Sequence, residues 1–365
     1  MILPPDSTDI ALIGAGPLGL EMAVALRQAQ LHYTHIEAGQ IGATIQWWAP
    51  GTRWFSSPER ISIAGVPLIT PNQEKASREE YLAYLRSVAL QFHLDVHTYT
   101  QVTHIERTPL QPPGPDHRFR LTLQKSVRGQ PLGEARTLTA GRVILSTGGT
   151  ERPNLLGVPG ENLPHVSHYF QDPHTYFQKN LLIVGGRNSA VEAALRCHRA
   201  GARVHFSYRR DSVDARDIKY WLYPEFSLLI KSGHITAHYN TVVTEITPAH
   251  VTLADSTQSG GVAPQRLPMD FVLLMTGYEA DMSLAQMAGV TLNGDQLLPT
   301  YNADTMETNI PNLYVAGTAI AGTQRRYKVF LENCHAHVAR ILAHLTGQSP
   351  PAGAAPTALY ERPES

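Results

Sequence analysis

Two glycine-rich segments constrain this chain more than any other feature, because each follows a short apolar run and opens a helix-forming stretch. The first is Ile10-Ala11-Leu12-Ile13-Gly14-Ala15-Gly16-Pro17-Leu18-Gly19, and the second is Leu181-Leu182-Ile183-Val184-Gly185-Gly186-Arg187-Asn188-Ser189-Ala190. A strand that enters a glycine turn and leaves as a helix gathers backbone N–H groups and the positive end of the helix dipole at one point, a geometry that holds pyrophosphate. One such turn also serves as an ordinary tight turn. Two in strand–turn–helix context imply two dinucleotide sites, and hence a protein that passes electrons between dinucleotides.

In the first segment Asp9 to Ile13 is apolar enough for a strand buried on both faces. Gly14 permits the turn, Gly16 lets backbone approach a pyrophosphate, and Gly19 lets the helix pack close to the strand. The helix is expected from Pro17 to about Gln28, and the next strand, Tyr33 to Glu37, ends in an acid. Glu37, followed by Ala38, is placed to accept hydrogen bonds from adenosine ribose hydroxyls.

In the second segment Gly185 makes the turn with Gly186, Ala190 replaces the third glycine, and Arg187 departs from the pattern where a glycine is expected. Asn188 and Ser189 lie within the turn motif, and Val191 to Leu195 continues as helix. The following strand, Arg203 to Tyr208, ends in Arg209-Arg210, with Arg216 beyond. An acid there would repel a 2′-phosphate, whereas paired guanidiniums grip one, which favours NADPH over NADH.

The chain has 365 residues, 42% of them hydrophobic, which is enough for two domains. A formal net charge of −1 gives no global basic field for nucleic acid or anionic membrane. The two cysteines, Cys197 and Cys334, form no Cys-x-x-Cys pair, and no apolar run reaches membrane-span length. The first strand begins too early to leave room for a signal peptide, so a cytoplasmic setting is expected. Between the two turns, Val102 to Arg107 and Arg118 to Leu123, separated by Pro112-Pro113-Gly114-Pro115, predict a small antiparallel meander, and Arg142 to Leu145 predicts a further strand. Phe271 to Gly277 and Asn312 to Thr318 repeat the strand-to-glycine pattern, and Val329 to Leu345 predicts a long helix. The expected architecture is α/β, with two Rossmann-like three-layer dinucleotide-binding domains, the second inserted into the first. The expected boundaries are 1–162 plus 281–347 for the first domain, 163–280 for the second and 348–365 for a loose tail.

Over nearly its whole length the chain resembles the two-dinucleotide-binding-domain flavoproteins typified by thioredoxin reductases. The resemblance rests on Gly14 to Gly19 with Glu37, Leu145-Ser146-Thr147-Gly148-Gly149, Gly185 to Ala190 with Arg209-Arg210, and Tyr314-Val315-Ala316-Gly317-Thr318. Within that group, Trp54 to Glu59, Ile63 to Pro67, Asn188 to Ala194 and Phe330 to Asn333 look like the YpdA-type bacillithiol disulfide reductases. The resemblance implies FAD at the first site, held by Gly14, Gly16, Pro17, Leu18, Gly19, Glu37, Ala38, Thr147, Gly148, Gly317 and Thr318. It also brings Trp47 and Ser57 to the flavin ring. NADPH would lie at the second site on Gly185, Gly186, Arg187, Asn188, Ser189, Ala190, Arg209, Arg210 and Arg216.

The chain departs from its relatives in three places. It lacks the Cys-x-x-Cys of thioredoxin reductases. It has Leu18 where bacillithiol-type enzymes carry a cysteine, and Thr318 where the wider family has Asp. The expected function is an FAD-dependent NADPH oxidoreductase passing electrons to an external acceptor, such as a low-molecular-weight disulfide or a small redox protein. Cys334 and His335 are the candidate thiol and acid, and the helix from Val329 is expected to aim its N-terminus at the flavin. A ferredoxin- or quinone-type reductase or a flavin monooxygenase using no protein thiol is the alternative, and a non-catalytic redox sensor is a third. The resemblance also implies a homo-oligomer.

Overall fold

The computed structural model describes residues 4–108, 119–127, 129–257, 264–325 and 328–348. Arg118, the Pro112 to Pro115 run and all but the first residue of the expected tail lie outside the described residues. The chain divides into two compact units, one from Met1–Gln46, Gly51–Arg152 and Glu279–Ser365, the other from Trp47–Pro50 and Pro153–Tyr278. The crossing into the second unit falls at Pro153, upstream of the expected 163, and Trp47–Pro50 groups with that unit.

The first unit is built on a parallel sheet. Strand β1 (Ser7–Ile13) pairs in parallel with β2 (Tyr33–Ile36) on one side and with strand Arg136–Leu145 on the other. Between β1 and β2 runs helix α1 (Pro17–Gln28), with the expected boundaries. The Arg142 to Leu145 stretch is not a separate strand. It is the C-terminal half of a ten-residue strand. The edge of that strand facing away from β1 has two partners. Its first half pairs antiparallel with Phe119–Val127, and its second half pairs in parallel with Leu313–Val315. Phe119–Val127 pairs in turn with Thr100–Arg107, completing the meander.

The second unit has a five-stranded parallel sheet in the order Thr236–Tyr239, Arg203–Tyr208, Asn180–Val184, Phe271–Leu274, Val166–Ser167. Alternation along Asn180–Val184 explains its layers. Leu181 and Ile183 pack with Val191, Ala194 and Phe226 from helices Asn188–Arg199 and Tyr223–Lys231. Leu182 and Val184 face the other way, onto Val243, Val251 and Leu253 of an antiparallel three-stranded sheet. Helices, parallel sheet and antiparallel sheet give three layers.

The long helix expected from Val329 starts later. The side chain of Gln324 accepts the N–H groups of Lys328 and Val329, and that of Asn333 accepts the N–H of Phe330. These bonds hold an extended entry and a short 3₁₀ turn, Leu331–Asn333, so the α-helix runs His335–Thr346. Among the described residues no helix is long and apolar enough to cross a membrane.

Candidate functional site

In the first unit three turns meet at the carboxyl ends of parallel strands, where open α/β sheets bind ligands. Gly14 has φ +103°, and a Cβ there would sit 2.3 Å from the Ser146 carbonyl oxygen, so its turn lies directly on the Ser146–Gly149 turn. A Cβ on Gly19 would sit 1.9 Å from the Gly14 carbonyl oxygen, which is the close helix–strand packing expected of it. Gly16 differs: its backbone is extended, and nothing lies within 4 Å of where its Cβ would be. It caps α1 with no side-chain hydrogen bond, and Pro17 follows. The first N–H groups of α1 therefore face an open cradle, which fits a pyrophosphate.

Glu37 is 9% exposed, and its carboxylate accepts the Ala15 N–H at 2.6 Å and the Gly39 N–H at 2.7 Å. Burial raises its pKa, and the two amide bonds oppose the shift. Each oxygen keeps a second lone pair, so Glu37 shapes the turn and still has acceptor capacity for a ribose hydroxyl. Ala38 beside it is exposed. Leu18 is buried in α1, and Gly317 packs against it: a Cβ on Gly317 would lie 3.4 Å from the Leu18 Cβ. The Thr318 carbonyl closes on Gly149, 3.1 Å from where a Cβ there would be. Gly148, with nothing within 4 Å of its own Cβ position, and its neighbour Thr147 border the same cradle.

The sequence carries no signal for His35, yet it braces this cradle. Its ring is fully buried, and Nε2–H donates to the Gly14 carbonyl at 2.9 Å. Burial is the main cause that lowers its pKa to about 4. A folded value below the unfolded one means that the neutral ring stabilises the fold in full above the unfolded pKa of 6.5, and that this is lost as pH falls toward 4. The contribution is about 3 kcal/mol at most. The melting temperature of the wild-type protein is therefore expected to drop steeply between those pH values. His35→Gln, which keeps an N–H donor and does not titrate, flattens that slope; an unchanged slope in thermal melts contradicts this account.

The second unit holds the other cradle. A Cβ on Gly185 would meet the Met275 carbonyl oxygen at 2.4 Å and the Ala190 Cβ at 3.0 Å. Gly186 lies against the Tyr208 ring: a Cβ there would sit 2.2 Å from a ring carbon. Arg187 caps helix Asn188–Arg199 with extended backbone that any residue adopts, its side chain exposed and no side-chain cap on the helix. Ser189 is exposed beside it, and the Asn188 side chain accepts the Lys219 N–H at 2.8 Å.

Arg209 and Arg210 are exposed at the end of strand Arg203–Tyr208 and carry no ion pair among the described residues. Their carbonyls accept the Ser256 hydroxyl and the Asn240 N–H, so both side chains leave a fixed turn. Arg216, also expected at the phosphate, has a partner of its own in this structure. Its guanidinium is committed to Asp214 through Nη2 at 2.7 Å and Nε at 3.0 Å, and this hydrogen bonding holds the Asp214 pKa down to about 2.

Four other expected site residues have the following surroundings. Trp47 packs edge-on to Tyr169 at 4.8 Å and against Tyr278 at 5.1 Å, all within the second unit. Ser57 caps the short helix Pro58–Ile61 and donates its hydroxyl to Glu59. His335 holds Glu21 with Nδ1 at 2.8 Å and the Arg60 carbonyl with Nε2 at 3.0 Å, so both ring nitrogens are occupied. Burial opposes its charge, but Glu21 outweighs it and the pKa is raised. Cys334 is 0% exposed, and burial pushes its thiol pKa well up, as burial pushes Cys197 to about 12. Neither cysteine presents a thiolate. No group of three or more His, Cys, Asp or Glu side chains suited to a metal ion occurs among the described residues.

The family model "Pyridine nucleotide-disulphide oxidoreductase" matches residues 11–317, which span both cradles. The chain belongs to that family. This pyridine nucleotide-disulphide oxidoreductase is 33% identical to the bacilliredoxin reductase Bdr of Bacillus subtilis over 92% of its own length and 96% of the relative's. The bacillithiol disulfide reductase Bdr (YpdA) of Bacillus cereus superposes with a TM-score of 0.83 at 32% identity, covering 93% of this chain and 99% of that one. The Staphylococcus aureus Bdr (YpdA) structure gives 0.82 at 30% identity, covering 94% and 99%. The oxidoreductase is an enzyme that uses FAD and NADPH, and its two cradles fit those two dinucleotides.

Proposed function

We propose that this enzyme carries reducing equivalents from NADPH by way of FAD to a small disulfide of the bacillithiol disulfide class, without a protein thiol. FAD, when bound, supplies two-electron chemistry that no side chain here provides. The chain's own part is to hold it: the α1 N-terminus and Gly16 take the pyrophosphate, and Glu37 takes the ribose. Arg209 and Arg210 select the phosphorylated nicotinamide cofactor. The substrate class follows the bacillithiol disulfide reductases that the chain resembles.

The observation that carries the thiol-free part is at α1. Leu18 fills the turn with a buried isobutyl group, and both cysteines of the chain are buried with raised pKa values. A Cys197→Ala/Cys334→Ala double variant is therefore expected to keep NADPH-dependent disulfide reduction within about threefold of wild type, a change of under 1 kcal/mol in barrier. Loss of disulfide turnover with flavin reduction by NADPH intact would refute it.

The same thiol burial favours a second reading, a ferredoxin- or quinone-type reductase. An acceptor panel of disulfides, ferredoxin, quinones and oxygen separates the two, and NADPH oxidation with none of them favours a redox sensor. We place this chemistry in the cytoplasm, in a homo-oligomer without nucleic acid; light scattering on the purified protein checks the assembly.

A further inference from the structure

The Gly317–Ala321 turn follows strand Leu313–Val315 and borders the first cradle. Its N–H at Gly317 does not join the sheet. It donates to Nδ1 of His337 at 3.2 Å, across a contact that buries His337 to 5% exposure. An imidazolium has no lone pair on Nδ1, so only the neutral ring with its proton on Nε2 makes this bond. Burial, together with the cations Arg340 and His335 on the same helix, lowers the His337 pKa to about 4, which keeps the ring in that form. Two residues earlier His335 faces two acceptors, so one helix turn carries a ring set to donate and a ring set to accept.

We propose that His337 is the positioning residue for the flavin-binding Gly317–Thr318 turn, acting through the hydrogen bond it accepts from Gly317. The proposal rests on reading that turn as part of the FAD site. Without the acceptor a buried N–H is left unpaired, and the turn must move to reach another partner. Gly317 lies against Leu18 at the start of α1, and the Thr318 carbonyl lies against Gly149, so any movement carries into both neighbouring turns of the cradle.

Two substitutions separate hydrogen bonding from packing. In His337→Asn the amide oxygen stands where Nδ1 was and does not titrate. His337→Leu keeps apolar bulk without an acceptor. FAD binding to the deflavinated proteins, followed by flavin fluorescence, is expected to rank wild type and Asn together, with Leu weaker by roughly tenfold or more. Leu binding FAD as tightly as Asn, or more tightly, overturns the proposal, because the ring would then only fill space. If the leucine variant does not fold, His337→Ala takes its place: free imidazole at a pH where it is neutral should restore FAD binding, and no restoration overturns the proposal. Wild-type protein with no affinity for FAD would instead refute the flavin site itself.

Discussion

Gly16→Val is expected to fold normally and to bind flavin far more weakly. Its backbone is extended, with φ −72° and ψ −177°, so valine adopts it without strain, and nothing lies within 4 Å of the new Cβ. The cost to the empty protein is that of a poorer helix cap, about 1 kcal/mol. The branched side chain instead occupies the space where a pyrophosphate would approach the α1 amides. FAD affinity should fall by roughly hundredfold or more, equivalent to about 3 kcal/mol. Gly19→Val is the contrasting case. Its Cβ would overlap the Gly14 carbonyl at 1.9 Å, so α1 cannot dock on β1, and the variant should be unfolded or insoluble. Thermal melts of the deflavinated proteins and flavin absorbance after reconstitution check both. Full flavin binding by Gly16→Val would show that the open space at the helix start is not the pyrophosphate site.

Arg209→Ala/Arg210→Ala is expected to abolish the preference for NADPH over NADH. Both guanidiniums are exposed, lack ion pairs among the described residues and leave a turn held through its carbonyls. Each charged hydrogen bond to a 2′-phosphate contributes about 1.5–3 kcal/mol, so the pair should account for roughly hundredfold or more in kcat/KM for NADPH. NADH, which has no 2′-phosphate, should change little. Arg216→Ala should barely alter the ratio, because that side chain is bound to Asp214. An unaltered NADPH/NADH ratio in the double variant contradicts the phosphate role.

What the sequence made legible was local. Gly14, Gly16 and Gly19 with Glu37 lie within one strand–turn–helix–strand unit, so their spacing carries their geometry, and α1 has the expected ends. Strand Arg203–Tyr208 also has the expected ends, and helix Asn188–Arg199 contains the Val191 to Leu195 stretch expected to be helical. The features that were missed depend on distant partners. Strand Arg136–Leu145 is a single element because Phe119–Val127 and Leu313–Val315 divide one of its edges, and no short window contains both. The helix at His335 starts late because Gln324 and Asn333 capture upstream amides. Gly186 lies against Tyr208, Trp47 packs on Tyr169 and Tyr278, and His35 and His337 act on glycine turns about twenty residues away. Histidines are common in this chain, and nothing in their spacing marks these two.

On the proposed path electrons pass from NADPH through FAD to a small disulfide without a protein thiol. Steady-state NADPH oxidation by the Cys197→Ala/Cys334→Ala enzyme, with bacillithiol disulfide as acceptor, tests it most directly. Turnover close to wild type is expected. Flavin that NADPH still reduces, but that no longer turns over with the disulfide, would contradict it.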